Sequence, residues 1–171
     1  MPREPLPPQR RSWVEIDLSA LRHNAQILRE HLSAKNTKPP AFIAVVKADA
    51  YGHGATRVAK ELAPDVHAFA VASVREALEI SFCKKDILLL GPTIEENLHE
   101  ALWANLIFTV SSREELRHLS KQRKISNTPT PGRLHLKLDT GMGRVGCHRE
   151  NVSELLSCIE HASSLPLFSI G

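Results

Sequence analysis

From residue 41 to residue 170 the chain repeats one pattern. A short apolar run is followed by a segment with apolar positions at helical spacing, and several of these segments open on a capping residue. The apolar runs are Ala41–Val46, His67–Ala72, Asp86–Leu90, Leu106–Val110, Arg133–Leu138 and Leu165–Ile170. Ala55, Val58, Ala59 and Leu62 make one helical face, which Pro64 stops. Ser73-Val-Arg-Glu76, Thr93-Ile-Glu-Glu96 and Ser112-Arg-Glu-Glu115 have the serine/threonine-to-glutamate spacing of a capping box. They predict helices ending near Phe82, Trp103 and Gln122, and a polar loop follows over 123–131. Asn151 is expected to cap a further helix reaching Ala162. Six strands alternating with five helices specify an α/β fold on a parallel sheet.

Upstream, Trp13-Val-Glu-Ile-Asp17 alternates apolar and acidic residues, which predicts a half-exposed strand. A helix capped by Asp17 or Ser19 should follow, with Leu18, Leu21, Ala25, Leu28 and Leu32 on its apolar face and Asn36–Pro40 ending it. Residues 1–12 are rich in Pro and Arg and have no apolar core, so they read as a disordered tail. They lack the continuous apolar segment of a secretory signal. No run approaches the roughly 20 apolar residues of a membrane span. A soluble, cytoplasmic protein is expected.

Composition narrows the functional classes. A net charge of +3, from basic residues spread along the chain, argues against a nucleic-acid partner. Three cysteines, Cys83, Cys147 and Cys158, form no pattern and read as reduced thiols without metal-ligand spacing.

Two stretches carry chemistry. The first, Ala41-Phe-Ile-Ala-Val-Val-Lys-Ala-Asp-Ala-Tyr-Gly-His-Gly54, begins as an apolar run suited to a strand buried on both faces and ends on Lys47. The carboxyl end of a barrel strand is where α/β barrels keep their chemistry. An amine beside apolar surface loses hydration, which favours its neutral, nucleophilic form. Such an amine can form a Schiff base with a carbonyl. The bland alternative is a strand-end lysine reaching for water. His53, between two turn glycines, reads as a hydrogen-bonding loop residue, and Asp49 as a group that bonds loop amides.

The second stretch is Leu134-His-Leu-Lys-Leu-Asp-Thr-Gly-Met-Gly-Arg-Val-Gly146. Gly141, Gly143 and Gly146 spell a dinucleotide fingerprint, but that motif needs a helix opening within the glycines and an acid about 20 residues on. Here the next helical pattern starts near Asn151, and the last strand carries no acid. Arg144 offers a fork that matches a carboxylate or phenolate oxygen.

Both stretches closely resemble the alanine racemase family, the first its pyridoxal-phosphate lysine motif, the second its Lys-x-Asp-Thr-Gly-Met-x-Arg-x-Gly segment. The resemblance spans residues 13–171 and implies part of a (β/α)8 barrel of the TIM type, about six of eight βα units. A complete barrel typically takes about 250 residues. It implies that Lys47 holds pyridoxal 5'-phosphate covalently and acts as one of two acid/base groups. Tyr51 falls on the position that contacts the cofactor phosphate. Arg144 falls on the residue that bonds the cofactor's phenolic oxygen and lies by the substrate carboxylate. Lys137 falls on a lysine that is often carbamylated (N6-carboxylysine) and positions that arginine.

The implied activity is an isomerase that interconverts L- and D-alanine for peptidoglycan. Residues 13–171 would be its amino-terminal barrel part, inactive alone, and the full-length family implies a homodimer. A racemase of another amino acid such as serine, a non-catalytic pyridoxal-phosphate-binding protein, and a remnant without function are the alternatives. The Asp-Thr-Gly-Met-Gly-Arg stretch favours a racemase over a carrier.

Overall fold

The computed structural model describes residues 12–35, 37, 39–92, 98–104, 106–126, 132–162 and 165–171. Among them one sheet holds six strands: β1 (Ile43–Val45), β2 (Ala68–Val71), β3 (Asp86–Pro92), β4 (Ile107–Val110), β5 (Arg133–Leu136) and β6 (Leu167–Ile170). Spatial order follows chain order, and every neighbouring pair is parallel. Helices make the crossovers: α1 (Leu18–Lys35) precedes the sheet, α2 (Lys47–Gly52) is a single turn, and α3 (Ala55–Leu62), α4 (Val74–Ile80), α5 (Leu98–Trp103), α6 (Arg113–Ser126) and α7 (Val152–His161) follow. A parallel sheet that runs in chain order under helical crossovers curls in one direction, and here it makes a half-barrel. Five of the six apolar runs contain a strand whole, and β3 starts with its run at Asp86 but extends two residues past it to Pro92.

The two faces of the sheet are built differently. The helix-facing side carries Phe69, Val71, Leu89, Phe108, Leu134 and Leu136, packed with Val74, Ile80, Leu102, Leu119 and Leu155 in one large core. Each such side chain, fully buried, stabilises the fold by roughly 1.5–3 kcal/mol. The concave side has a small apolar patch of Ala70, Leu88 and Ile107. That side also carries polar pairs: the Arg133 guanidinium reaches across β4 to grip both Asp86 oxygens at 2.6 and 3.0 Å, and His135 Nδ1 shares a 2.7 Å hydrogen bond with Ser169 Oγ. The Arg133 partner holds the Asp86 carboxyl below the usual carboxylate range.

Asp17, rather than Ser19, caps α1: its Oδ1 accepts from the Ala20 amide at 3.0 Å and from the Ser19 hydroxyl at 2.6 Å. The helix is fastened by a buried carboxylate in the turn after α3. Asp65 Oδ2 accepts from Arg22 Nε at 3.0 Å, and Oδ1 accepts from Arg29 Nη1 at 3.1 Å.

Several expectations need correction. Trp13–Asp17 forms no strand: the segment has no sheet partner among the described residues, and Trp13 is 60% exposed. Leu28 does not join the buried α1 face; it is 52% exposed. β1 is not buried on both faces; Ile43 and Val45 lie on the open concave side at the sheet's edge and are half-exposed. α6 runs to Ser126, because nothing in Arg123–Ile125 breaks a helix. Asn151 makes no side-chain cap; a 3-10 turn over Arg149–Asn151 leads into α7 instead. β5 stops at Leu136, where the chain turns into the glycine-rich loop. The Thr93–Glu96 capping box and nearly all of the amino-terminal tail lie outside the described residues.

Candidate functional site

In a parallel sheet all strand carboxyl ends share one edge. Lys47 leaves β1 at that edge, half-buried, and Lys137 and Arg144 follow β5 at the same edge. β1 and β5 are four strand spacings apart, roughly 19 Å measured along the sheet.

The segment carrying Lys47 and Tyr51 folds in a way the residue pattern gave little hint of. Ala48, Asp49, Ala50 and Tyr51 all have φ between 51 and 56°, so α2 is wound left-handed. For residues with a Cβ this conformation costs roughly 1–2 kcal/mol each. Surrounding hydrogen bonds over-determine it. The Ala50 amide donates to Val46 O at 2.9 Å, and the Gly54 amide to Asp49 O at 2.9 Å. Asp49 Oδ1 accepts from the Ala55 amide at 2.6 Å, tying the turn to the start of α3. His53 Nδ1 donates to Ala50 O at 2.9 Å. Both residues act as their turn positions predict. Tyr51 presents its ring outward at 61% exposure.

A residue read from sequence only as a helix cap also serves this turn. Glu76 Oε1 accepts from the Ala48 amide at 2.8 Å, and Oε2 from the Ala72 amide at 2.7 Å. Its own amide donates to Ser73 Oγ at 3.2 Å. One carboxylate thus links the carboxyl ends of β1 and β2.

The second loop closes on itself. The Cys147 amide donates to Lys137 O at 2.7 Å, and the Asp139 amide to Cys147 O at 3.0 Å, so residues 139–147 leave β5 and return to it. Asp139 Oδ1 accepts from the amides of Gly141 and Gly143 at 2.9 and 3.1 Å. Those two amides, Gly141 first, pull its carboxyl below the usual range. A Cβ on Gly146 would lie 2.5 Å from the Asp139 amide nitrogen, so only glycine lets the loop's two ends pass. No helix opens within the glycines; the next helical turn begins at Arg149. Arg144 is exposed on the loop, and Lys137 is half-buried at its base. Burial, then the Lys137 charge, push the neighbouring His135 imidazole down.

The donor set suits pyridoxal phosphate: an amine for its carbonyl, a guanidinium for an oxygen anion and a phenol for its phosphate, all on one barrel edge.

A family profile described as alanine racemase, N-terminal domain, matches residues 16–170. The chain belongs to the alanine racemase family. It is 35% identical over 164 residues to the alanine racemase of Nostoc sp., covering 94% of this chain and 42% of that protein. It is 41% identical over 135 residues to the alanine racemase of Pseudomonas syringae, covering 78% of this chain and 35% of that protein. The solved alanine racemase of Streptomyces coelicolor superposes with a TM-score of 0.78 at 31% identity, over 91% of this chain and 42% of that one. That of E. faecalis gives 0.77 at 30%, over 91% and 42%. The chain therefore spans about two fifths of the length of these alanine racemases. Among the described residues no helix is long and apolar enough to cross a membrane.

Proposed function

We propose that this chain carries the pyridoxal-phosphate-binding part of a cytoplasmic amino-acid racemase acting on alanine, whose product would serve peptidoglycan. The observation that carries this is Lys47 at the carboxyl end of β1, directly before a left-handed turn that holds Tyr51. Arg144 stands on the same edge.

Lys47 would hold the cofactor covalently, Tyr51 its phosphate and Arg144 its phenolic oxygen, with Lys137 as carbamate steadying Arg144. When bound, the cofactor's ring withdraws electrons and so acidifies the substrate α-hydrogen. The rest is the chain's own work. The Arg144 fork binds an oxygen anion and orients the substrate carboxylate. The Lys47 amine, freed on substrate binding, takes or returns a proton at the α-carbon from one side.

Inversion also needs a proton donor on the opposite side. The sequence has a single tyrosine, Tyr51, and it shares a turn with Lys47. It cannot serve both sides. The second group is expected from outside these 171 residues.

The test is covalent trapping. Purified chain is saturated with pyridoxal phosphate, reduced with borohydride and mapped by peptide mass. The adduct should fall on Lys47 and vanish in Lys47→Ala. An adduct spread over surface lysines and unchanged in Lys47→Ala would sink the proposal. D- and L-alanine should interconvert in the chain alone no faster than in the Lys47→Ala control.

A further inference from the structure

Two of the three capping boxes, those ending in Glu76 and Glu115, lie among the described residues, and their glutamates are used differently. Glu115 Oε2 accepts from the amide and hydroxyl of Ser111, at 2.6 and 3.0 Å, while its own amide donates to Ser112 Oγ at 3.2 Å. All of that is local to the start of α6. Glu76 makes the corresponding local bonds, to the Ala72 amide and from its own amide to Ser73. Its other oxygen leaves the helix and takes the Ala48 amide, 28 residues away in sequence.

That extra bond falls beside Lys47. The amide preceding Lys47, Val46 N, donates to Ala70 O on β2 at 2.9 Å. The amide following it, Ala48 N, donates to Glu76 at the start of α4. The backbone amides of the two residues flanking Lys47 are thus both tied to the β2–α4 unit. Ala48 is also the first left-handed residue of the turn, with φ 51° and ψ 51°. A charge-assisted bond at that residue offsets part of the conformational cost where the strand changes hand. Without it the turn can relax, and the Cα–Cβ direction of Lys47 changes with it.

We infer that Glu76 is the positioning residue for Lys47: its Oε1 holds the Ala48 amide so that the lysine amine is presented in the orientation that captures pyridoxal phosphate. The role rests on the proposed cofactor attachment at Lys47. It assigns Glu76 no contact with cofactor or substrate.

Glu76→Gln keeps the shape but removes the charge and leaves one acceptor oxygen for two donors, so the Ala48 and Ala72 amides compete for a neutral, weaker partner. Glu115→Gln is the matched control, a capping-box glutamate far from Lys47 in the chain. Two quantities are read in wild type and both variants: Ala48 amide hydrogen exchange without cofactor, and the affinity of the borohydride-trappable Lys47 adduct at equal folded fraction. In Glu76→Gln the Ala48 exchange should accelerate and the Lys47 affinity fall by roughly tenfold, the scale of one charge-assisted hydrogen bond. Glu115→Gln should match wild type in both, whatever it costs in melting temperature. Wild-type affinity in Glu76→Gln overturns the role while leaving cofactor attachment intact. Equal loss in both variants overturns it as a general stability effect. No Lys47 adduct in wild type removes the cofactor attachment itself, and the inference with it.

Discussion

The turn after β1 and the loop after β5 leave the same edge of one sheet and solve opposite problems. The β1 turn is short and built from residues with side chains, four of them left-handed in succession. It cannot hold that shape alone, so Glu76 and Asp49 hold it, and these bonds tie it to α4 and α3. The β5 loop is longer and rich in glycine. It adopts its unusual angles at Gly141, Gly143 and Gly146 and is braced by its own Asp139. A turn braced from outside keeps a fixed relation to its neighbours, which is what the proposed covalent attachment at Lys47 would need. A loop braced from inside keeps its shape through its own bonds and depends less on the packing of neighbouring helices.

The largest break in this comparison should come from glycine replacements. Gly146→Ala drives a Cβ to within 2.5 Å of backbone, where nothing can move aside. We expect a loss of about 3 kcal/mol, seen as a lower denaturation midpoint. Gly52→Ala, at φ 83° with nothing within 4 Å of the added carbon, should cost about 1 kcal/mol. Equal losses would mean that the β5 loop is not closed as described.

A smaller effect separates the two by pH. The folded Asp139 carboxyl lies below its ordinary value because it accepts the Gly141 and Gly143 amides. A depressed carboxyl contributes its stabilisation fully above the unfolded value, about 4, and loses it as pH falls through the folded value. Exchange protection of the Gly141 and Gly143 amides should therefore disappear on acidification below about pH 4. Asp139→Asn should weaken that protection at neutral pH and remove its pH dependence. Protection that persists unchanged in acid would show that Asp139 does not brace the loop.

The smallest effect sharpens the chemistry of Lys137. The Lys137 charge adds to burial in lowering the His135 pKa. A lowered histidine favours the folded state above its unfolded value of about 6.5, and that contribution is lost as pH falls. A carbamate would reverse the charge beside it, so His135 should titrate higher in bicarbonate-loaded protein than in bicarbonate-free protein. The imidazole NMR signal reads this directly, and Lys137→Gln should abolish the difference. An identical titration in both buffers would leave Lys137 as a plain amine.

The sheet was legible because burial writes itself into sequence. Runs such as Asp86–Leu90 and Leu106–Val110 have few other uses in a chain of this composition, and Ser73 and Ser112 mark their helices through local bonds. Where the reading failed, a distant partner decided the outcome. Trp13–Asp17 alternates like a strand, but alternation supplies no partner, and none pairs with it among the described residues. Val45 is as apolar as Val46, yet only Val46 lies on the face that the helices cover.

By itself the sequence determined the six parallel strands and which residue types stand at their carboxyl ends, because apolar periodicity and capping are local properties of the chain. Lys47, Tyr51, Lys137 and Arg144 could be named from it. Tertiary structure alone decided how they are held. The bond from the Ala48 amide to the Glu76 carboxylate, 28 positions downstream, forms only where the β1–β2 pairing brings the two together. Asp65 is buried between two arginines only once α1 has packed against α3. Both depend on distances that exist only after the sheet has formed.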